Sequence, residues 1–327
     1  MATALPEQVR ILNLSLGQDT GGQQGRLQDA WPKHFPEDDY LSLTSTKTFY
    51  PIKHRLNLNE LMHQHWPWSE VLHLNNDLRY LDRFRRLQPS DKALVIHHHG
   101  TMFRTRLDYH LEALERFRAT AIMSTVDLWA LAPEQTTWQP QTYELEELQG
   151  YRQPIDDDII RIAHAPTNRG IKGTAALEQA VRRLQKDGAP VELTIIERQS
   201  NQKCLRLKGQ ADIYVDQMIL GYGCNAIEAW GMGIPVIAGV DPELAKSKVL
   251  QYIPLDTRDR MLQLWGDIPF MESTEDGLYV ALSKMLQPGT RKHYAAKGMR
   301  HFMRFHESST STDRLRQVYA LALSKVT

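Results

Sequence analysis

Residues 221–239 read GYGCNAIEAWGMGIPVIAG. Gly221 and Gly223 open the stretch, a short helix follows, and Gly231 and Gly233 close it before an apolar strand that begins beside Pro235. Turn, helix, turn and strand in this order are the repeat of a parallel sheet covered by helices. Glu228 is the only charged residue of the stretch and lies about one turn into the helix. The glycines let a ligand approach the backbone, and the N–H groups of Cys224, Asn225 and Ala226 open the helix toward an anion or sugar hydroxyls. A carboxylate accepts hydrogen bonds in pairs, as the vicinal hydroxyls of a ribose require. The plainer reading of Glu228 is a glutamate favoured by the helix dipole.

The alternation extends outward in both directions. VRILNLSL (9–16), EVLHLNN (70–76), ALVIHHHG (93–100) and the start of AIMSTVDLWAL (121–131) read as strands of a first set. RLQDAWPKHF (26–35), which Pro32 interrupts or ends, and LDYHLEALERFRA (107–119) read as its helices. Residues 132–158 are rich in proline, glutamine and acid and read as an interdomain connection. IIRIAHAP (159–166), VELTIIE (191–197) and ADIYVDQ (211–217) then begin a second set of strands. Its first helix carries the stripe Leu177, Val181, Leu184 and is closed by Gly188. The expected fold is α/β, with two Rossmann-like doubly wound domains. Residues 1–152 form the first, 153–307 the second, and a helix over 308–327 returns to the first. Ligands of such sheets bind beyond the C-terminal strand ends. That rule gathers residues 17–22, 97–104, 164–173 and 216–228 around one cleft.

The 327 residues suffice for two domains. Lysine plus arginine and aspartate plus glutamate each total 39, so the formal net charge is zero. The balance argues against a partner held by bulk charge alone, such as nonspecific duplex DNA or an anionic membrane, though a local patch is compatible with it. No apolar run approaches the roughly 18 residues that span a bilayer. MATALPEQVRILNLSLG reads as a first strand, not a signal peptide. Two cysteines build no disulfide framework, so a reduced, cytoplasmic protein is the expectation.

Three further clusters carry chemistry. In NRGIKG, Arg169 and Lys172 stand between a strand and a helix, flanked by Gly170 and Gly173. Two cations at a helix mouth clamp a diphosphate, or else are solvated loop cations. In HHHG, only His97 and His99 share a face, which leaves a poor zinc site and no metal is expected. RYLDRFRRLQ (79–88), with Arg104 and Arg106, reads as an exposed helix face or a nucleic-acid contact. Cys224 is a weak nucleophile candidate at a helix start, read as a small residue filling the turn.

From about 160 to 306 the chain resembles the donor-binding half of GT-B glycosyltransferases, near the retaining glycosyltransferase family 4 group. HAPTNRGIKGT, VELTIIE, ADIYVDQ, GYGCNAIEAWGMGIPVIAG and the helices through RHFMRFHES stand in the family's order. The resemblance implies that Arg169 and Lys172 bind the donor diphosphate and Glu228 its ribose. It also implies that His99 and the backbone of Gly223, Cys224 and Asn225 position the sugar. One departure is plain: Leu220 stands where the family often has a sugar-facing glutamate, and Asp216 and Gln217 are the nearest polar replacements. GQDTGGQQGRL resembles, more loosely, the glycine loop of the acceptor domain, with Gly21 and Gly22 near phosphate or acceptor.

The implied activity is transfer of a sugar from a nucleotide diphosphate to an acceptor hydroxyl, with retention and with neither metal nor other cofactor. The acceptor stays open among polysaccharide, small molecule, protein and modified DNA base. A nucleotide-sugar 2-epimerase and a non-catalytic binding module are the competing readings; fold alone does not separate them.

Overall fold

A computed structural model describes residues 7–15, 20–45, 54–55, 57, 60–76, 78, 92–249 and 253–326. The basic run 79–88 lies outside the described residues. The chain divides into two compact units, one of Met1–Thr142 with Ser308–Thr327 and one of Tyr143–Glu307.

Among the described residues the first unit holds a seven-stranded sheet. Its strands are β1 (Arg10–Ser15), β2 (Asp39–Thr44), β3 (His54–Arg55), β4 (Val71–Asn75), β5 (Ala93–His98), β6 (Thr120–Met123) and β7 (Thr136–Trp138). The order is β3-β2-β1-β4-β5-β6-β7, and every neighbouring pair is parallel. Both faces are covered, which is why the strands read as nearly unbroken apolar runs. Alternation still sorts them. Ile11, Val71, Val95 and Ile122 pack with Leu27 and Trp31 on one side, where Leu315, Val318 and Tyr319 join them. Leu12, Leu14, Leu72, Leu74, Leu94 and Ile96 pack with Phe103 and Leu114 on the other. The helix Ser308–Leu323 supplies those three late residues, so residues from the end of the chain complete a core begun at Val9.

Two local expectations change. The helix Gln23–His34 runs through Pro32. The proline stands near the helix end, where its missing N–H removes a single bond. The stretch 132–158 is not a bare connection: it contains β7 and the helix Leu145–Gly150. Its glutamines are structural. Gln139 is buried and donates to the Ser311 carbonyl at 2.9 Å, and the Thr142 N–H donates to Gln23 Oε1 at 2.9 Å. Residues 143–150 belong to the second unit, because Tyr143 forms a parallel bridge with Glu307 and Leu148 packs against Gly231.

In the second unit β8 (Ile160–His164), β9 (Val191–Ile195), β10 (Ile213–Val215), β11 (Leu220–Gly221), β12 (Val236–Val240) and β13 (Met271–Glu272) form the sheet. Its order is β11-β12-β10-β8-β9, with β13 also on β12. All pairs are parallel except β11 with β12. The order places β8 between β9 and β10, so the chain reverses direction across the sheet there. Such a switch point opens a crevice at the C-terminal strand ends. The helix Thr174–Lys186 buries Leu177, Val181 and Leu184 against this sheet, the stripe read from the sequence.

Candidate functional site

The switch point of the second unit gathers side chains from three segments. His164 ends β8, Asp216 follows β10, and Gly223 caps the helix Cys224–Gly231. The Gly223 N–H donates to Asp216 Oδ2 at 2.7 Å, and Lys172 Nζ donates to Asp216 Oδ1 at 3.0 Å. A Cβ on Gly223 would stand 3.9 Å from Lys172 Nζ, so cation, carboxylate and turn share one spot. Gly173, at φ 71°, turns the loop into the next helix in the left-handed conformation that suits glycine. Behind it, His164 Nε2 lies 2.9 Å from Thr174 Oγ1 and Nδ1 lies 2.8 Å from the Val215 carbonyl. A carbonyl only accepts, so Nδ1 carries the proton and Nε2 takes the threonine hydroxyl. Burial holds the His164 pKa below its ordinary value, in keeping with that neutral ring.

Glu228 lies deeper than its expected role implies. It is 4% exposed, and its carboxylate is paired with Lys208, which is 0% exposed. Lys208 Nζ also donates to Asn225 Oδ1 at 2.8 Å and lies 5.0 Å from the centre of the Tyr214 ring. Asn225 Nδ2 donates to the Ala165 carbonyl at 3.2 Å. Glu228 and Asn225 are thus joined through a lysine that sequence reasoning passed over. In QKCLRLKGQ that lysine looks like an ordinary dipole-favoured residue in the last turn of a helix.

The two cations of NRGIKG are not brought to one point. Arg169 is half-exposed and forks onto Glu197, at 2.9 and 2.8 Å, with Glu178 at 3.2 Å. These bonds raise the Arg169 pKa and lower that of Glu197. Lys172 instead holds Asp216. Both cations are paired with carboxylates, so an arriving anion would exchange with them. Leu220, at the position of the missing glutamate, begins β11 and packs against Ile219, Ala245 and Ile253. Cys224 is partly buried and forms no disulfide.

The first unit has its own switch point, between β1 and β4. Gly21 and Gly22 follow β1 with φ of 76° and 72°, backbone that glycine adopts freely. His99 Nε2 lies 2.8 Å from Asn75 Oδ1, and the His99 N–H donates to Asn76 Oδ1 at 2.7 Å. Asn75 Nδ2 donates to Asn13 Oδ1 at 2.6 Å. The His97 and His99 rings lie 4.0 Å apart, and His73 links His97 to the Tyr319 hydroxyl. His98 faces the other side, against Phe103 and His110. Burial pushes His73 and His99 down to about 3 and His97 and His98 well below the ordinary value. The cluster is therefore neutral at pH 7. Among the described residues no three His, Cys, Asp or Glu side chains are grouped to hold a metal ion. Among them, too, no helix is long and apolar enough to cross a membrane.

No family model matches this chain, and no curated protein matches it in sequence. Solved structures do match in fold. A glycosyltransferase from Rickettsia africae ESF-5 superposes with a TM-score of 0.66 at 10% identity, over 97% of this chain and 99% of that one. Anabaena HepE, solved with UDP and glucose, gives 0.63 at 12% identity, over 94% of this chain and 98% of that one. An α-glucosyltransferase, solved with UDP and a 13-mer DNA carrying a central A:G mismatch, gives 0.60 at 10%, over 95% and 99%. Two parallel-sheet, Rossmann-like units with this likeness define the GT-B fold, and the chain has that fold.

Proposed function

We propose that this chain is a glycosyltransferase that moves a sugar from a nucleotide-diphosphate donor to an acceptor hydroxyl, with retention and without a metal. The observation that carries the reading is the convergence of Lys172 Nζ and the Gly223 N–H on one carboxylate at the switch point of the second unit. These are the donors a diphosphate needs, held at a helix mouth. The fold is shared with proteins solved with UDP and with a UDP-sugar.

In the reaction the bond from the sugar C1 to the diphosphate oxygen breaks, and a bond from C1 to the acceptor oxygen forms. The electron pair leaves with the diphosphate, which also takes the acceptor proton. Lys172 passes from Asp216 to the departing phosphate, Arg169 leaves Glu197 to join it, and the helix N–H groups of 223–225 stabilise the same charge. To meet the ribose, Glu228 must be uncovered within its buried pair with Lys208, which orients its carboxylate. Asp216, in place of a sugar-facing glutamate, keeps Lys172 and Gly223 aligned. His99 belongs to the neutral cluster of the first unit, which suits an uncharged, hydroxyl-bearing acceptor, and Gly21 and Gly22 follow β1 at the same switch point. Polysaccharide, small molecule, protein and modified DNA base all meet that description.

A thermal-shift screen against UDP-, GDP-, ADP- and TDP-sugars tests the reading. One of them raises the Tm of the wild type, and Lys172→Ala and Glu228→Ala each remove the shift. A shift unchanged in both variants assigns the nucleotide elsewhere. Isomerisation of the bound sugar nucleotide without acceptor assigns an epimerase.

A further inference from the structure

The turn that supplies the Gly223 N–H also carries a side chain that the proposed chemistry does not use. Tyr222 is buried, and its hydroxyl lies 2.9 Å from His301 Nε2 and 2.8 Å from His306 Nε2. A hydroxyl donates once, so one imidazole accepts at Nε2 and the other carries its proton there. His301 ends the helix Pro288–His301, and His306 ends the π-helical turn Phe302–His306. In an α-helix, residues five apart point about 140° away from each other. The π turn closes bonds five residues back, as in Glu307 N–H to the Phe302 carbonyl at 2.9 Å. It thereby brings both imidazoles to one hydroxyl. Such turns are rare and recur at functional sites.

The same turn holds the chain's crossings. The His306 carbonyl accepts the Tyr143 N–H at 2.8 Å, and Tyr143 pairs with Glu307 in a parallel bridge. Tyr143 is where the chain enters the second unit and Glu307 is where it leaves. On the near side of Tyr222, Gly223 is tied to Asp216 and through it to Lys172. The Tyr222 ring is wedged 4.6 Å from Trp230 and 5.1 Å from Trp265, so the turn cannot shift without carrying its hydroxyl.

We infer that Tyr222 is a positioning residue that couples the Lys172–Asp216–Gly223 site to the bridged segments at Tyr143 and Glu307. Its ligand-dependent arm rests on the proposed function, because it takes the ligand to be a nucleotide diphosphate. An anion that replaces Asp216 on the Gly223 N–H displaces the 221–223 peptide, and the hydroxyl transmits that displacement to His306.

Amide hydrogen exchange of the full chain tests this in two arms. Without ligand, Asp216→Asn speeds exchange in peptides covering 143–150 and 302–307, on the order of tenfold, and has no such effect in a Tyr222→Phe background. With UDP as probe, wild type slows exchange at 221–228 and at 143–150, whereas Tyr222→Phe slows it at 221–228 only. Equal effects at 143–150 in both backgrounds, or none in wild type, overturn the coupling. Where Tyr222→Phe loses its fold by circular dichroism, His306→Asn breaks the same bond from its other end and must give the same pattern. Absence of UDP protection at 221–228 overturns the reading of the ligand and leaves the ligand-free arm to decide the coupling.

Discussion

The two units reverse their strand order in the same way and fill the resulting crevice with opposite chemistry. In the first, Asn13, Asn75 and His99 form a neutral chain of carboxamides and imidazole. In the second, Lys172 with Asp216 and Lys208 with Glu228 form ion pairs, one of them sealed in the interior. Under the proposed function, one topology serves two kinds of recognition. Neutral donors and acceptors suit an uncharged hydroxylated partner, whereas charges held in pairs suit an anion that exchanges with a resident carboxylate.

Acid breaks the comparison most strongly. His73, His97, His98 and His99 of the first unit are all held neutral by burial, with His73 and His99 at about 3. In the unfolded chain such rings take a proton near 6.5. Between that value and about 3 the unfolded state therefore holds the extra protons. Stability is fully present above 6.5 and falls as pH drops through the window, by up to about tenfold in the folding constant per pH unit for each histidine. Burial also lowers the pKa of His164 and His301 in the second unit, but among the described residues the first holds more such rings, so it unfolds first as pH falls, which tryptophan fluorescence with unit-resolved hydrogen exchange reads out. Simultaneous loss of both units sinks this difference.

The buried pair comes next. Lys208→Met strands the Glu228 carboxylate in the interior and costs about 3–5 kcal/mol in urea unfolding. Pairing it with Glu228→Gln restores much of the loss. A single-variant cost near zero would mean that water reaches the pair. Third, Lys172→Ala lowers the transfer rate by about 10²–10³, the size of a lost oxyanion donor, and leaves the fold intact. A change below about threefold removes Lys172 from the chemistry. The smallest effect sharpens the contrast within the second unit. Arg169→Ala leaves the urea-unfolding midpoint nearly unchanged, because its pairs with Glu197 and Glu178 are exposed and screened by solvent.

Much of the architecture could be read from residues because parallel strands buried on both faces stand out as apolar runs that end in glycine or polar clusters. The stripe Leu177, Val181, Leu184 and the turn–helix–turn at 221–233 follow from local rules that the fold leaves undisturbed. What stayed hidden is non-local. Gln139 and Thr142 look like linker residues until their partners, Ser311 and Gln23, are known. Lys208 lies twenty positions from Glu228 along the chain, and no periodicity joins them. The π turn at 302–306 is likewise invisible, because the hydroxyl that His301 and His306 both meet lies 79 and 84 residues away from them along the chain.

The return of the helix Ser308–Leu323 to the first unit has a consequence for synthesis on the ribosome. Residues 143–307 form a contiguous unit that can close its core as soon as it emerges. The first unit emerges earlier but waits, because Leu315, Val318 and Tyr319 fill the face of Trp31 and Val95, and His73 lacks its hydroxyl partner until Tyr319 arrives. The half made first is therefore finished last, and during that interval its apolar face is a natural client for chaperones.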